Sequence, residues 1–209
     1  MKDLIAQLRI SLTATLLLAV LLCGIYPLAV WLVAQGVFPA NANGSLVVRN
    51  GKIFGSSLIS QGFTAPKHFH PRPSAAGQGY DATGSGGSNL GPTSKKLVET
   101  VRQRVNEYRS ENNLPPDALV PIDAVTASAS GLDPHISLKN ALFQTSRVAK
   151  ARGWSAEVVL KEMEHYTEGR DLGFLGEPRV NVLMLNLALD RMSVSIAARA
   201  SRKDQVGND

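Results

Sequence analysis

Residues 10–38 read ISLTATLLLAVLLCGIYPLAVWLVAQGVF, 29 positions without a charged side chain. A helix of that length rises about 43 Å at 1.5 Å per residue, more than the roughly 30 Å of a bilayer's hydrocarbon core. Lys2 and Arg9 precede the stretch, and Arg49 and Lys52 are the next basic residues after it. Trp31 and Phe38 stand late in the run, where aromatic side chains sit at a membrane interface. The stretch reads as a membrane-spanning helix in which Pro27 is a place for a kink.

Two competing readings weigh less. Ala40-Asn41-Ala42 has the small residues of a signal-peptide cleavage site, but the apolar core before it is about twice the usual length. A lipoprotein reading would use Cys23, yet bulky Leu22 stands where a small residue is expected. Arg9 abuts the span while positions 39–48 carry no charge, which places residues 1–9 in the cytoplasm and residues 39–209 outside the inner membrane of a bacterial-type envelope. Ser11, Thr15, Ala19 and Cys23 recur every four residues, a stripe of small side chains against which a partner helix can pack in lipid.

The whole chain has 209 residues, 44% of them hydrophobic, and a formal net charge of +5. Those values exclude a collagen-like, coiled-coil or strongly disordered chain, and a single cysteine excludes a disulfide scaffold. The 171 residues after position 38 suffice for one core. Leu46-Val47-Val48-Arg49, Asn50-Gly51 and Lys52-Ile53-Phe54 spell a hairpin with a type I′ turn. Residues 61–92 are rich in Gly, Ser and Pro, a loop long enough to be functional or packed against something.

Three helices follow. Leu97, Val101, Val105 and Tyr108 stripe the first, which ends at Asn112-Asn113. The second starts at Ser137, presents Leu138, Ala141, Leu142, Thr145 and Val148, and stops at Gly153. The third is capped by Ser155, carries Glu157 in its first turn and closes at Gly169. Residues 180–189 fit two patterns: Asn181 could cap a helix, whereas Leu183, Leu185, Leu187 and Leu189 alternate like a strand, and helix is favoured. The expected fold class is α+β: a single N-terminal transmembrane helix followed by one extracytoplasmic α+β domain.

Chemical motifs are sparse. The run from Gly84 to Lys95 lacks the Gly-Lys step of a phosphate-binding loop, because Pro92 follows Gly91. Asp81-Ala82-Thr83-Gly84 has Ala where the phosphorylated motif of cation pumps has Lys. Ser128, Ser130 and Ser137 lie near Asp133 and His135, but no Gly-x-Ser-x-Gly or Ser-x-x-Lys signature accompanies them. His68-x-His70 and Asp133-x-His135 do not have zinc-type spacing, so no metal is expected. His165 reads as a surface residue. Lys95, Lys96, Arg102, Arg104 and Arg109 alternate with Glu99, Glu107 and Glu111, a solvated face that argues against nucleic-acid binding.

Three blocks occur together and in order. They are Gly55–Phe63 with Phe69-His70-Pro71-Arg72-Pro73-Ser74-Ala75; then Gly79-Tyr80 with Ser85–Ser94; then Val120–Ser137, containing Asp123, Asp133 and His135. With the N-terminal span and Arg179-Val180-Asn181-Val182-Leu183, the chain resembles the C-subunit family of the potassium-transporting Kdp ATPase over nearly its whole length. Ser60 departs from that family's usual Gly.

The resemblance implies a non-catalytic subunit of an ATP-driven potassium uptake complex, partnered by a potassium-channel-like A subunit and an ATP-hydrolysing B subunit. It implies roles in assembly and as a catalytic chaperone that raises the B subunit's affinity for ATP, so ATP belongs to the complex, with no metal and no catalytic residue in this chain. Ser85-Gly86-Gly87 is similar to the Ser-Gly-Gly of the ABC-transporter signature. Arg72, Ser85, Gly86, Gly87, Asn89, Asp123, Asp133 and His135 are the candidate interface or structural residues. For Asn89, Asp123 and Asp133 the local alternative is a turn or cap role. The rival functions are a membrane-anchored envelope hydrolase and a stand-alone periplasmic binding module.

Overall fold

A computed structural model describes residues 2–49 and 51–206, with side chains described from Asp3 to Ile196 apart from Asn50. The chain divides into two compact units, Met1–Phe54 and Gly55–Asp209.

The first unit is built on a long helix. α1 (Lys2–Ala19) runs into a π-helical turn (Val20–Ile25) and on into α2 (Tyr26–Val37). Asp3–Val37 is long and apolar enough to cross a membrane, and none of its most apolar window is buried. The helix therefore starts several residues before the uncharged run, because single charges near an end do not interrupt helical hydrogen bonding. Pro27 explains the π-helical turn. Its ring has no N–H and would clash with the Cys23 carbonyl in a regular α-helix, and the wider turn relieves that conflict. The Tyr26 N–H accordingly donates to the Leu21 carbonyl, five residues back.

Ser11, Thr15 and Ala19 lie in the regular part of this helix and Cys23 in the π-helical turn. Phe38 leaves helical geometry (φ −130°, ψ 52°), and α3 (Pro39–Ala42) is a single turn. β1 (Leu46–Arg49) and β2 (Lys52–Ser56) pair as the expected hairpin. Gly51 is left-handed (φ +72°), while Asn50 lies outside the described residues.

The second unit is helical with a small sheet. α4 (Lys95–Glu111) is capped by Ser94, whose hydroxyl accepts from the Leu97 N–H at 3.4 Å. α5 (Ile122–Val125) is one turn, β3 (His135–Ser137) follows, and α6 (Leu138–Arg152) starts at the Ser137 cap, which accepts from the Asn140 N–H. Gly153 ends α6 in the left-handed conformation (φ +68°), which glycine adopts without steric cost. α7 (Ala156–His165) stops four residues short of Gly169, and its Ser155 cap makes no side-chain hydrogen bond. The early stop leaves Thr167 and Glu168 free to form β4 (Thr167–Glu168).

β5 (Arg179–Asn181) lies between β3 and β4, antiparallel to both, with Val180 opposite Ile136 and Thr167. α8 (Val182–Val206) follows directly, and Asn181 Oδ1 accepts from the Met184 N–H. The alternation of Leu183, Leu185, Leu187 and Leu189 comes from a helix enclosed on several sides, since all four are buried. The core gathers Phe69, Ile136, Ala141, Val148, Val159, Met163, Val180, Leu185 and Leu189.

The Gly/Ser/Pro-rich region is packed rather than slack. Phe69 and Ala76 are fully buried. Asn186, buried on α8, grips the Phe69 backbone from both sides: Oδ1 accepts its N–H at 2.8 Å and Nδ2 donates to its carbonyl at 2.9 Å. The chain thus satisfies a buried loop backbone that would otherwise lose its water partners.

Candidate functional site

Arg72, 61 positions away in the sequence, meets Asp133 and His135 at the sheet. Arg72 Nη1 donates to Asp133 Oδ2 at 3.0 Å, and its Nη2 reaches the Ala127 carbonyl at 3.4 Å. Asp133 Oδ1 accepts from the His135 backbone N–H at 3.0 Å, the turn chemistry expected of an Asp two residues before its donor. His135 stands between two carboxylates, with Nδ1 3.6 Å from Asp133 and Nε2 3.4 Å from Glu168. Glu168 accepts from Arg179 Nε at 2.8 Å, and Arg179 continues to Asp171 at 3.6 Å. Charges alternate along this chain. Burial works to raise the Asp133 carboxyl, but hydrogen bonds from His135 and Arg72 outweigh it and hold the group below its ordinary value. A cleft of about 420 Å³ opens beside His135, Glu168 and Arg179 and is also lined by Leu58, His165 and Tyr166.

Asp123 belongs to a different construction. Its carboxylate accepts from the Ser137 N–H at 2.8 Å, the Ser137 hydroxyl at 2.9 Å and Asn140 Nδ2 at 3.0 Å, so it secures the start of α6. The Ser137 hydroxyl is thereby a cap and ligand of Asp123, which is not the setting of an activated nucleophile. Ser128 and Ser130 face each other at 3.4 Å.

Ser85, Gly86 and Gly87 form a third group, laid against residues 128–131. The Ser85 hydroxyl and the Gly86 N–H both donate to the Ser130 carbonyl, at 3.0 and 2.9 Å. A Cβ on Gly87 would sit 3.0 Å from the Ala129 carbonyl oxygen, and one on Gly131 (φ +67°) only 2.6 Å from the Gly86 carbonyl. Glycine is needed here because two loops touch backbone to backbone. The Ser85 hydroxyl and Gly86 amide are thus committed to protein oxygens, so this Ser-Gly-Gly is not set up to cradle a phosphate. Asn89 is exposed and left-handed (φ +51°).

The largest polar assembly was not legible in advance. On α6, Asn140, Gln144 and Arg147 are buried, whereas Leu142, expected on the apolar face, is 46% exposed. The Tyr108 hydroxyl donates to Asn140 Oδ1 at 2.8 Å, and Gln144 Nε2 donates to the same oxygen at 2.8 Å. Gln144 also pairs with both backbone groups of His70. Arg147 donates to Asn112 Oδ1, Gln144 Oε1 and the carbonyls of Pro66 and His68, at 2.7 to 3.0 Å.

Burial lowers the Arg147 pKa, and burial together with Arg147 lowers that of His70. Burial chiefly, with Asp123 beside it, raises the Tyr108 phenol. A polar signal at helical spacing (positions 140, 144 and 147) was present, but periodicity counts apolar residues and passes over it. The two imidazoles of His68-x-His70 part company: His68 meets Asp190 at 3.1 Å, and His70 meets Glu111 at 3.4 Å. Among the described residues no cluster of three His, Cys, Asp or Glu is placed to hold a metal.

An apolar helix long enough to span a membrane, followed by an α+β region whose polar side chains are turned on one another, is an architecture consistent with a single-span membrane protein. Residues 8–191 match the family model described as KdpC, the K⁺-transporting ATPase c chain. The chain is 57% identical over 186 residues to the potassium-transporting ATPase KdpC subunit of Mycobacterium tuberculosis, covering 89% of this chain and 98% of that protein. It is 55% identical to the KdpC subunit of Nitratidesulfovibrio vulgaris (88% and 94% covered) and 50% identical to that of Koribacter versatilis (90% and 94% covered). The chain belongs to the KdpC family and is a component of the Kdp potassium-transporting ATPase complex.

Proposed function

We propose that the chain is a non-catalytic accessory subunit that stabilises the complex and raises the ATP affinity of its ATP-hydrolysing B subunit. Residues 1–9 lie in the cytoplasm, 10–38 cross the inner membrane and 39–209 lie outside it. The small-residue stripe Ser11, Thr15, Ala19 and Cys23 docks on helices of the channel-like A subunit or the B subunit.

The observation that carries this reading is the internal closure of the polar residues. Arg72, Asp133, His135, Glu168 and Arg179 neutralise one another, and Asp123 and Ser137 cap a helix. Such residues build a rigid surface. They are not disposed to bind and transform a substrate, which speaks against the hydrolase reading. ATP is the substrate of the complex, and the donors of Ser85 and Gly86 are already used within this chain. The effect on ATP is then a coupling free energy transmitted through the membrane helix to the partner.

ATP hydrolysis by purified complex, titrated with ATP with and without this chain, tests the reading. A KM for ATP that rises several-fold when the chain is left out supports it, since typical couplings span about 5- to 150-fold. An unchanged KM with intact assembly contradicts the chaperone role and leaves only a structural one.

A further inference from the structure

The loop between β4 and β5 reverses the usual placement of residue types. Leu172 is 83% exposed, Phe174 69% and Leu175 49%, three large apolar side chains within four positions. Leu172 is also left-handed (φ +53°), a conformation that costs a leucine energy and suits Asn or Gly. Exposure and backbone conformation therefore both select against the residue present, and strain of this kind clusters where a surface is used.

The loop is nonetheless well built. Asp171 and Leu175 exchange backbone hydrogen bonds of 2.9 Å in both directions, Arg170 pairs with Glu177 at 2.9 Å, and Arg179 ties Asp171 to the His135–Glu168 pair. The tip is thus held out as a fixed knob, continuous with the ion chain of the site and the cleft beside it.

We infer that the Leu172/Phe174/Leu175 knob docks into an apolar socket on another subunit of the same pump. The inference rests on the subunit assignment and names the surface that realises it. Charge argues against a lipid surface as the occupant. Glu168, Asp171 and Glu177 outnumber Arg170 and Arg179, both arginines are already paired, and an anionic membrane attracts the opposite pattern. Area argues against a second copy: three side chains cover a few hundred Å² at most, below the roughly 800 Å² per partner of a free-standing interface. A small anchor suffices when a second attachment, here the membrane helix, already confines the partners.

The test replaces Phe174 with the photoreactive analogue p-benzoylphenylalanine in the full-length chain, within its own complex and membrane. Wild-type chain is purified in parallel in mild detergent. The expected result is an adduct whose peptides join position 174 to another subunit of the pump. A homodimer adduct, a lipid adduct, or a complex retained without an adduct to a pump subunit overturns the knob. If the wild-type chain itself brings down no pump subunit, the subunit assignment fails and the knob falls with it, an outcome distinct from the others.

Leu172→Asn supplies a second readout. It should reduce partner recovery about tenfold, the weight of one buried leucine, without lowering the unfolding midpoint of the full-length chain. Unchanged recovery contradicts the inference.

Discussion

The α4–α6 seam and the β4–β5 tip are inverses of each other. In the seam a guanidinium and three carboxamides are buried, and nearly every polar atom has a partner inside the chain. At the tip, leucine and phenylalanine face solvent on a loop tied down by ion pairs. A buried charge held by four neutral acceptors fixes one arrangement of loop, α4 and α6, because any shift leaves a desolvated group unpaired. An exposed apolar tip contributes nothing to folding and becomes favourable only on contact. The seam is where stability resides, and the tip is where association resides.

The comparison breaks most visibly at Arg147. Arg147→Ala removes a donor from four acceptors, of which Gln144 Oε1 keeps the His70 N–H, and should cost about 3–4 kcal/mol, read by urea unfolding of the full-length chain in detergent. A cost below 1 kcal/mol would mean that the seam is not what orders the domain.

Asp133→Asn should cost about 1–2 kcal/mol by the same measurement, since one amide oxygen replaces the two carboxylate oxygens that accept from Arg72 and from the His135 N–H, and the buried Arg72 Nε already lacks a partner among the described residues. Asp133→Ala with Arg72→Met together should be milder than the sum of the single changes, as expected of directly paired groups.

Acid should weaken the same fold in two stages. The His70 pKa is lowered, so the folded state favours neutral imidazole. Its contribution is complete above the ordinary histidine value and is lost as pH falls through the lowered one. Asp133 and Asp190 are also held low. Their contributions are present above the ordinary carboxylate value and disappear as pH falls through their depressed values. Unfolding midpoints measured from pH 7 downward should fall throughout, and His70→Gln should flatten the upper stage while leaving the lower one.

Ser60 offers the smallest effect and the opposite sign. Its hydroxyl is buried without a partner among the described residues, so Ser60→Ala should stabilise the chain by about 0.5–1 kcal/mol.

Much of the fold was readable because its signals are local. Ser137 and Gly153 bracket α6, Leu46–Arg49 and Lys52–Ser56 pair as the hairpin, and Asn181 opens α8 as its cap. The long apolar helix followed from hydropathy alone, but the start of α1 at Lys2 did not, because the end of an uncharged run is not a helix boundary. β3, β4 and β5 are two or three residues each, too short for a period to register.

The site was legible in parts. Asp133 and His135 are near neighbours in sequence, whereas Arg72 reaches Asp133 across 61 positions and Glu168 reaches His135 only because α7 ends early. The buried polar row of α6 is visible only once α4 and the loop at residues 66–70 are packed against it. The tip gives a short apolar run between glycines, a pattern that does not distinguish a buried turn from an exposed one.

The division between seam and tip is tested most directly by one variant measured twice, Leu172→Asn in the full-length chain. Unfolding and partner recovery in mild detergent should move in opposite directions, with the chain as stable as wild type or slightly more so and the recovered pump subunits reduced about tenfold. A variant that unfolds more easily and still retains its partners would contradict the account, because the tip would then belong to the fold and not to the assembly.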